Sequence, residues 1–300
     1  MQTAEHTQPD VSVITARARF PTHGWIGLIL AVTFWFLNWT LTGPRTHWGF
    51  FPMWLGYCLA VDGLVCWRTG TSLLTRSWRK YVGLFLISAP VWWLFEAINL
   101  RTQNWSYLGI NIFTTFQYTL WTTFSFMTVI PAVFGSAELI ASFGWLNGLG
   151  RGPVIGTGKL TTAVFFVTGW LMLVALLVWP SIFFPFIWLS VYFILEPLNV
   201  WLGHHSLAEW TRDGNWRPVL TLWLGALLTG FFWEMWNFYS YPKWIYHVPW
   251  GGAFKIFEMP LLGYGGYLPF ALELYAIYHL VAGLLGDKKP EYIRMDFRSD

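Results

Sequence analysis

Seven carboxylic acids stand inside, or at the ends of, otherwise apolar stretches: Asp62, Glu96, Glu138, Glu196, Glu234, Glu258 and Glu273. Acids so placed can give and take protons where water is scarce, orient a reacting group, or hold helices together. The sharpest pattern is Trp233-Glu234-x-x-Asn237, which is matched earlier by Phe95-Glu96-x-x-Asn99. Glu and Asn three apart share one helix face. Each pair is followed by a Trp-x-Tyr stretch, Trp105 and Tyr107 in one case, Trp244 and Tyr246 in the other. This spacing reads as a rigid aromatic lid over a carboxyl–amide pair. An interfacial aromatic belt accounts for many of the 23 Trp, but not for the repeated distance to an acid. Asp62 and Glu196 form a second matched pair, and Glu258 lies at the outer mouth of the last apolar stretch. Pro269 and Glu273 sit about one turn apart, so a bent helix carries another acid.

These acids need elements that hold them inside a membrane. The chain is 55% hydrophobic and 11% charged, where a soluble domain carries roughly a quarter charged residues. A bilayer solvates such apolar surface; water does not. Stretches long enough to span fall near 24–43, 49–67, 80–100, 112–140, 161–179, 182–201, 218–238 and 253–286. The reading is an all-α, polytopic membrane helix bundle of about eight spans. The fourth and eighth stretches are long and carry Pro131 and Pro269, so kinks or interfacial portions are expected there. A charge near the bilayer centre costs at least about 2.5–3.5 kcal/mol, so the acids are expected to face the bundle interior, partly protonated or lining a wet cavity.

Of the 18 Lys and Arg, 14 fall on one side of this layout and 4 on the other, namely Arg45, Arg101, Lys243 and Lys255. The positive-inside rule then puts both termini in the cytoplasm, with the chain in the inner membrane. Residues 1–22 lack an apolar core and read as a cytoplasmic tail rather than a signal peptide.

The two halves look alike. From Trp54 and Trp188 a constant offset of 134 pairs Asp62 with Glu196, Ser72 with Ser206 and Leu73 with Leu207. Further on, Glu96, Asn99, Trp105, Tyr107 and Pro131 meet their counterparts at offsets of 138 to 139. The expected layout is a tail (1–22), a four-helix repeat (23–145), a linker (146–160), a second four-helix repeat (161–286) and a tail (287–300). Four spans per unit give both repeats one orientation, with the pseudo-axis along the membrane normal.

The charge of +3 and the absence of basic runs argue against nucleic acid. No nucleotide, metalloprotease or nucleophile motif appears, and the histidines are not spaced as haem or metal ligands. No metal and no cofactor are therefore expected. Cys58 and Cys66 are roughly 12 Å apart along a helix, too far for a disulfide.

Residues 233–273 resemble the membrane lycopene-cyclase domain and related carotenoid hydratases, through Glu234, Trp244, Tyr246, Pro269 and Glu273. Those families place an acid in one span, a Trp-x-aromatic loop next, then Pro with Glu in the following span. This chain has Pro269-Phe-Ala-Leu-Glu273 where the family pattern is closer to Pro-x-Glu-Glu. The resemblance implies acid-initiated cyclisation or hydration of an isoprenoid lipid, without redox chemistry. Glu234 and Glu273 would be proton donor and acceptor in either order, with Glu96 as the matched acid of the first half and Asn237 orienting a carboxyl. Trp233, Trp244, Tyr246, Asn99, Trp105, Tyr107, Asp62, Glu196 and Glu258 would line or shape the substrate site. Aromatic faces would stabilise the carbocation. The partners implied are the bilayer and an apolar, lipid-like substrate. Two other readings stand beside it: a proton-coupled transporter using the paired acids, and a non-catalytic scaffold in which the acids only join helices.

Overall fold

A computed structural model describes residues 19–288 and 292–295. The readings of 1–22 and 287–300 as tails therefore lie largely outside the described residues. Helix α1 (Thr22–Thr40) and α2 (Thr46–Thr69) form a tight hairpin. Gly24 and Gly27 on α1 meet Gly56, Ala60 and Gly63 on α2, close enough that a Cβ at Gly27 would stand 2.3 Å from the Ala60 nitrogen. Small residues are what permit backbones to approach this closely in lipid. The far face of α1, with Ile29, Val32 and Phe36, is exposed and apolar. Gly70, with φ of 77°, ends α2 in the left-handed conformation that glycine adopts without strain.

Ser72 then caps the short helix α3 (Leu73–Arg76), and Ser77 caps α4 (Trp78–Thr102). A strand, β1 (Trp105–Leu108), follows. Next come α5 (Thr115–Phe126), with a Thr114/Gln117 capping box, and α6 (Val129–Ala141). The second half runs through α7 (Lys159–Val178), α8 (Pro180–Phe183), a 3-10 turn and α9 (Ser190–Leu202). It continues with α10 (Ala208–Thr211), α11 (Arg217–Phe238) and strand β2 (Lys243–Tyr246). The small strands β3 (Lys255–Ile256) and β4 (Met259–Pro260) lead through a 3-10 segment into α12 (Tyr267–Leu284).

The protein is thus a helical membrane bundle. Six helical runs among the described residues are long and apolar enough to cross a bilayer, and a seventh does so if the bent 180–202 pair is one span. This differs from the expected eight, because α1 falls short on composition: Thr22, His23, Asn38 and Thr40 dilute its 19 residues. The expected span at 182–201 is broken, with a 40° bend between Pro180–Trp188 and Ser190–Leu202. Pro185 lacks an N–H and disfavours helix in the residue before it. The long fourth stretch breaks at Met127–Thr128, ahead of Pro131. There Ser88 of α4 enters the ladder: its hydroxyl donates to the Phe126 carbonyl at 2.5 Å and accepts from the Ile130 N–H at 3.1 Å. A side chain inserted between these two groups replaces their own helical bond. The eighth stretch is helical only from its second half, the first half forming β3, β4 and the 3-10 segment. Among the described residues, two short ladders, β1–β2 and β3–β4, depart from an all-α chain.

The interior is aromatic and apolar at its centre, where Met53, Trp54, Ile130, Phe134 and Leu274 are fully buried. One polar thread crosses it: the Tyr57 hydroxyl meets Ser136 at 2.8 Å, and Thr229 donates to Ser136 at 2.9 Å, tying α2, α6 and α11. Cys58 and Cys66 are both free.

The basic end of the bundle is held by charge. Glu138, buried on α6, pairs with Arg76 of α3. It also accepts from the Arg294 backbone N–H at 2.7 Å. Arg76 in turn donates to the Tyr292 carbonyl at 2.9 Å, and the Tyr292 hydroxyl donates to the Leu73 carbonyl at 2.9 Å. The segment 292–295 is thereby drawn into the bundle. Removing one member strands the other as a buried charge, so Arg76→Ala is expected to cost about 3–5 kcal/mol. The double change Arg76→Met, Glu138→Leu should recover most of that loss. Melting in detergent, followed by size-exclusion fluorescence, checks both; equal losses in single and double variants would refute the pairing.

Candidate functional site

At the other end, β1 and β2 pair antiparallel: Trp105 opposite Tyr246, Ser106 opposite Ile245, Tyr107 opposite Trp244. Each Trp of one Trp-x-Tyr stretch therefore faces the Tyr of the other. Asn99 and Asn237 hold the two strands in the same way. The Asn99 amide donates to the Trp105 carbonyl at 2.9 Å and accepts from the Trp105 N–H at 3.3 Å. The Asn237 amide donates to the Trp244 carbonyl at 2.8 Å and accepts from the Trp244 N–H at 3.0 Å. The two asparagines are thus supports of the ladder.

Beneath the ladder lies a cavity of about 220 Å3. Aromatic rings make up more than half of its wall, with Trp92, Trp105, Trp188, Trp233, Trp244 and Phe270 among the lining residues. Four of the lining rings stack in two pairs, Trp105 on Trp188 at 6.0 Å and Trp233 on Tyr267 at 6.0 Å. Neither Glu96 nor Glu234 reaches the wall; the groups that do are their hydrogen-bond donors. Glu96 Oε1 accepts from the indoles of Trp92 and Trp105, each at 3.0 Å, and from the Tyr107 hydroxyl at 2.5 Å. Glu234 Oε1 accepts from the hydroxyls of Tyr246 at 2.7 Å and Tyr267 at 2.8 Å. The Trp244 indole adds a bond to the Tyr246 hydroxyl at 2.9 Å. Each carboxyl therefore sits behind a fence of aromatic donors. Burial first, and then the neighbouring carboxylate, push Tyr107 and Tyr246 well above the ordinary phenol range, so both remain O–H donors. The two acids differ: Glu234 is fully buried, with Oε2 unpartnered, whereas Glu96 is only half-buried.

The other acids lie elsewhere. Asp62 accepts from the Ser72 hydroxyl at 2.6 Å and the Leu74 N–H at 3.0 Å, with His23 at 3.0 Å. Glu196 accepts from the Ala208 N–H at 2.7 Å. Both hold the start of the short helix that follows their span, at the basic end, and neither lines the cavity. Placing them in a substrate site is therefore a correction: spacing matched them, but their reach is to local backbone. Glu273 is fully buried beneath Phe270 and does not line the cavity either. Glu258 pairs with Lys243, which stands at the cavity rim.

Tyr267 was not anticipated from the sequence, nor was Trp92. Trp92 stands four residues before Glu96, so helical spacing alone could have placed it on the acid's face. Tyr267 comes from another helix, with no local signal. Comparison with known family models, curated proteins and solved structures finds no match for this chain.

Proposed function

We propose that the protein is an integral membrane enzyme that takes the end of an isoprenoid-type lipid into the aromatic chamber and cyclises or hydrates it by acid catalysis. The observation that carries this reading is the chamber itself, an apolar hollow walled by indole and phenol rings with a buried carboxyl behind them. A cavity of about 150 Å3 accommodates benzene; about 220 Å3 suits one ring-sized terminus rather than a whole polyene. In this reading Glu234 carries its proton on Oε2, since Oε1 is already taken by two phenols. Passed through the Tyr246 or Tyr267 hydroxyl, which lines the chamber in front of Glu234, a proton adds to a C=C bond and leaves a carbocation, which the ring faces stabilise. Attack of a second C=C bond of the same chain on that cation closes a ring and moves the charge, and loss of a proton from the carbon beside the new cation, returned to Glu234 by the same route, completes a cyclisation; capture of water, with one of its protons returned, completes a hydration. No oxidant or reductant is needed.

Against a solute passage stands the packed core beyond the chamber, where Trp54 and Phe134 are fully buried. Of the two acid pairs that suggested transport, Asp62 and Glu196 are held by backbone N–H groups, and Glu96 and Glu234 by aromatic donors. In the same reading the halves descend from one four-helix unit, with α1 counted as an eighth span and both termini cytoplasmic. Supporting this are the equivalent asparagine bonds and the reciprocal contacts Trp54 to Trp233 and Trp188 to Phe95, at 5.3 and 5.6 Å. In the inner membrane of a lycopene-making host, expression is expected to shift the pigment spectrum, and Trp244→Leu to abolish that shift. Unchanged pigment with well-folded wild-type protein, together with no isoprenoid co-purifying in an organic extract, would refute the proposal.

A further inference from the structure

The seam between α9 and α12 holds polar groups that the chamber does not use. Among the described residues, 21 buried side-chain nitrogen and oxygen atoms lack a hydrogen-bond partner, and nine of them lie at this seam or the turn below it. Both oxygens of Glu273 and both nitrogens of His279 are in this set, on side chains no more than 1% exposed. The rest are Ser190 Oγ, Asn199 Oδ1, Glu196 Oε2, Ser206 Oγ and His204 Nδ1. The nearest groups to Glu273 are the backbone N–H groups of Val191 and Tyr192, neither within hydrogen-bond geometry; a buried carboxyl so weakly held is costly as a charge, and intramembrane Glu and His side chains mark proton relays.

The matching seam of the first half is different. There the Ser72 hydroxyl donates to Asp62, which also holds His23, and the acid of α6 is paired with Arg76. Both acids of that seam thus have a hydrogen-bond or ion-pair partner, although Glu138 Oε2 and an Arg76 nitrogen there are also without one.

The groups are also connected. His279 packs with its ring 4.9 Å from His205 and 4.2 Å from Tyr275. His205 Nδ1 lies 2.7 Å from the Glu209 carboxylate, whose side chain is 26% exposed and so reaches the solvent of the basic end. At the other end Glu273 faces the backbone N–H groups of Val191 and Tyr192, three and four residues after Trp188 of the chamber wall. Phe270, nearly one turn above Glu273, is part of the same wall. Glu273 and His279 are roughly 9 Å apart along the axis, and between them the Asn199 amide of α9 donates to the Ala276 carbonyl at 2.9 Å. The charged groups around the lower end are Glu196, Glu209, His204, Asp287 and Lys288. Among the described residues no three ligating side chains gather to hold a metal.

We propose that this seam is a proton path, running from Glu209 and His205 at the basic end through His279 to Glu273 under the chamber floor. Protons move along it by successive transfer between these groups and water, with no net change in any of them after one passage. The path stands apart from the chamber's chemistry, since it needs no substrate.

The test uses the full-length protein in liposomes and infrared spectroscopy of the protonated carboxyl stretch, assigned by Glu273→Gln. In wild type the Glu273 band is expected to shift within the mixing time after transfer to D2O. In His279→Phe the shift should be lost on that timescale, and in His205→Phe it should be slowed. The two histidine variants serve as checks on each other if one fails to fold, as judged by its melting curve. A wild-type band that is absent or does not exchange, or equal exchange in wild type and a folded histidine variant, would overturn the path while leaving the chamber reading intact.

Discussion

Glu234→Ala is expected to lose about 2–6 kcal/mol of stability, because two buried phenols lose their acceptor at about 1–3 kcal/mol each. Tyr246 and Tyr267 both donate to Glu234 Oε1, and both line the chamber. Global stabilities run at about 5–15 kcal/mol, so the loss is a large share of the whole. The informative partner is Glu234→Gln. Its amide oxygen keeps both phenol bonds, so its melting temperature should stay near that of the wild type. It cannot supply a proton through the phenols, so turnover should fall about 100- to 10,000-fold, the typical contribution of a positioned acid. Conversion measured in membranes, with melting curves on the same preparations, separates the two effects. Full conversion by a folded Glu234→Gln protein would remove Glu234 from the chemistry and leave it a structural acceptor. Glu96→Gln provides the comparison: the half-buried acid has the same kind of fence, yet no unpartnered buried oxygen is found on it.

The second large effect is steric. Gly27→Leu places its first side-chain carbon 2.3 Å from the Ala60 nitrogen and 2.7 Å from the Gly56 carbonyl oxygen. Carbon prefers about 3.5–4.0 Å from its neighbours, and here the neighbours are backbone, which cannot rotate away. Overpacking usually costs about 1–3 kcal/mol; with two rigid helices forced apart, the upper end of that range or beyond is expected. Val32→Leu, on the exposed face of the same helix, should be silent. A cysteine pair engineered across α1 and α2 should crosslink in wild type and in the Val32→Leu protein, and fail to do so in the Gly27→Leu protein. Efficient crosslinking in Gly27→Leu would show that the hairpin tolerates separation.

How far the sequence reaches depends on the range of the interaction. The Glu-x-x-Asn units with their Trp-x-Tyr stretches were legible because every part lies within about three helical turns and helical geometry fixes which residues share a face. The same reasoning misjudged Asp62 and Glu196. Their matched spacing is real, but the groups they serve are N–H donors only 12 residues ahead, Leu74 and Ala208. A repeat in sequence marks equivalent places, and equivalent places can be joints as well as sites.

The break at Met127–Thr128 shows the other limit. Proline was the visible signal, and Pro131 does lie just beyond, but the helix opens where Ser88 from a different helix reaches into it. Likewise Tyr267 and Trp188 enter the chamber from elements far along the chain, and Arg76 finds Glu138 across 62 residues.

By itself the sequence determined the solvent and the local units: a chain this apolar belongs in lipid, and helical spacing set which acid, amide and rings travel together. Only the tertiary structure decided which acids back the chamber, which cap helices, and which lie unpaired between α9 and α12. The physical reason is that burial and hydrogen-bond partners of a buried acid come from neighbouring helices, and the docking of those helices is written in side-chain packing rather than in any single periodicity.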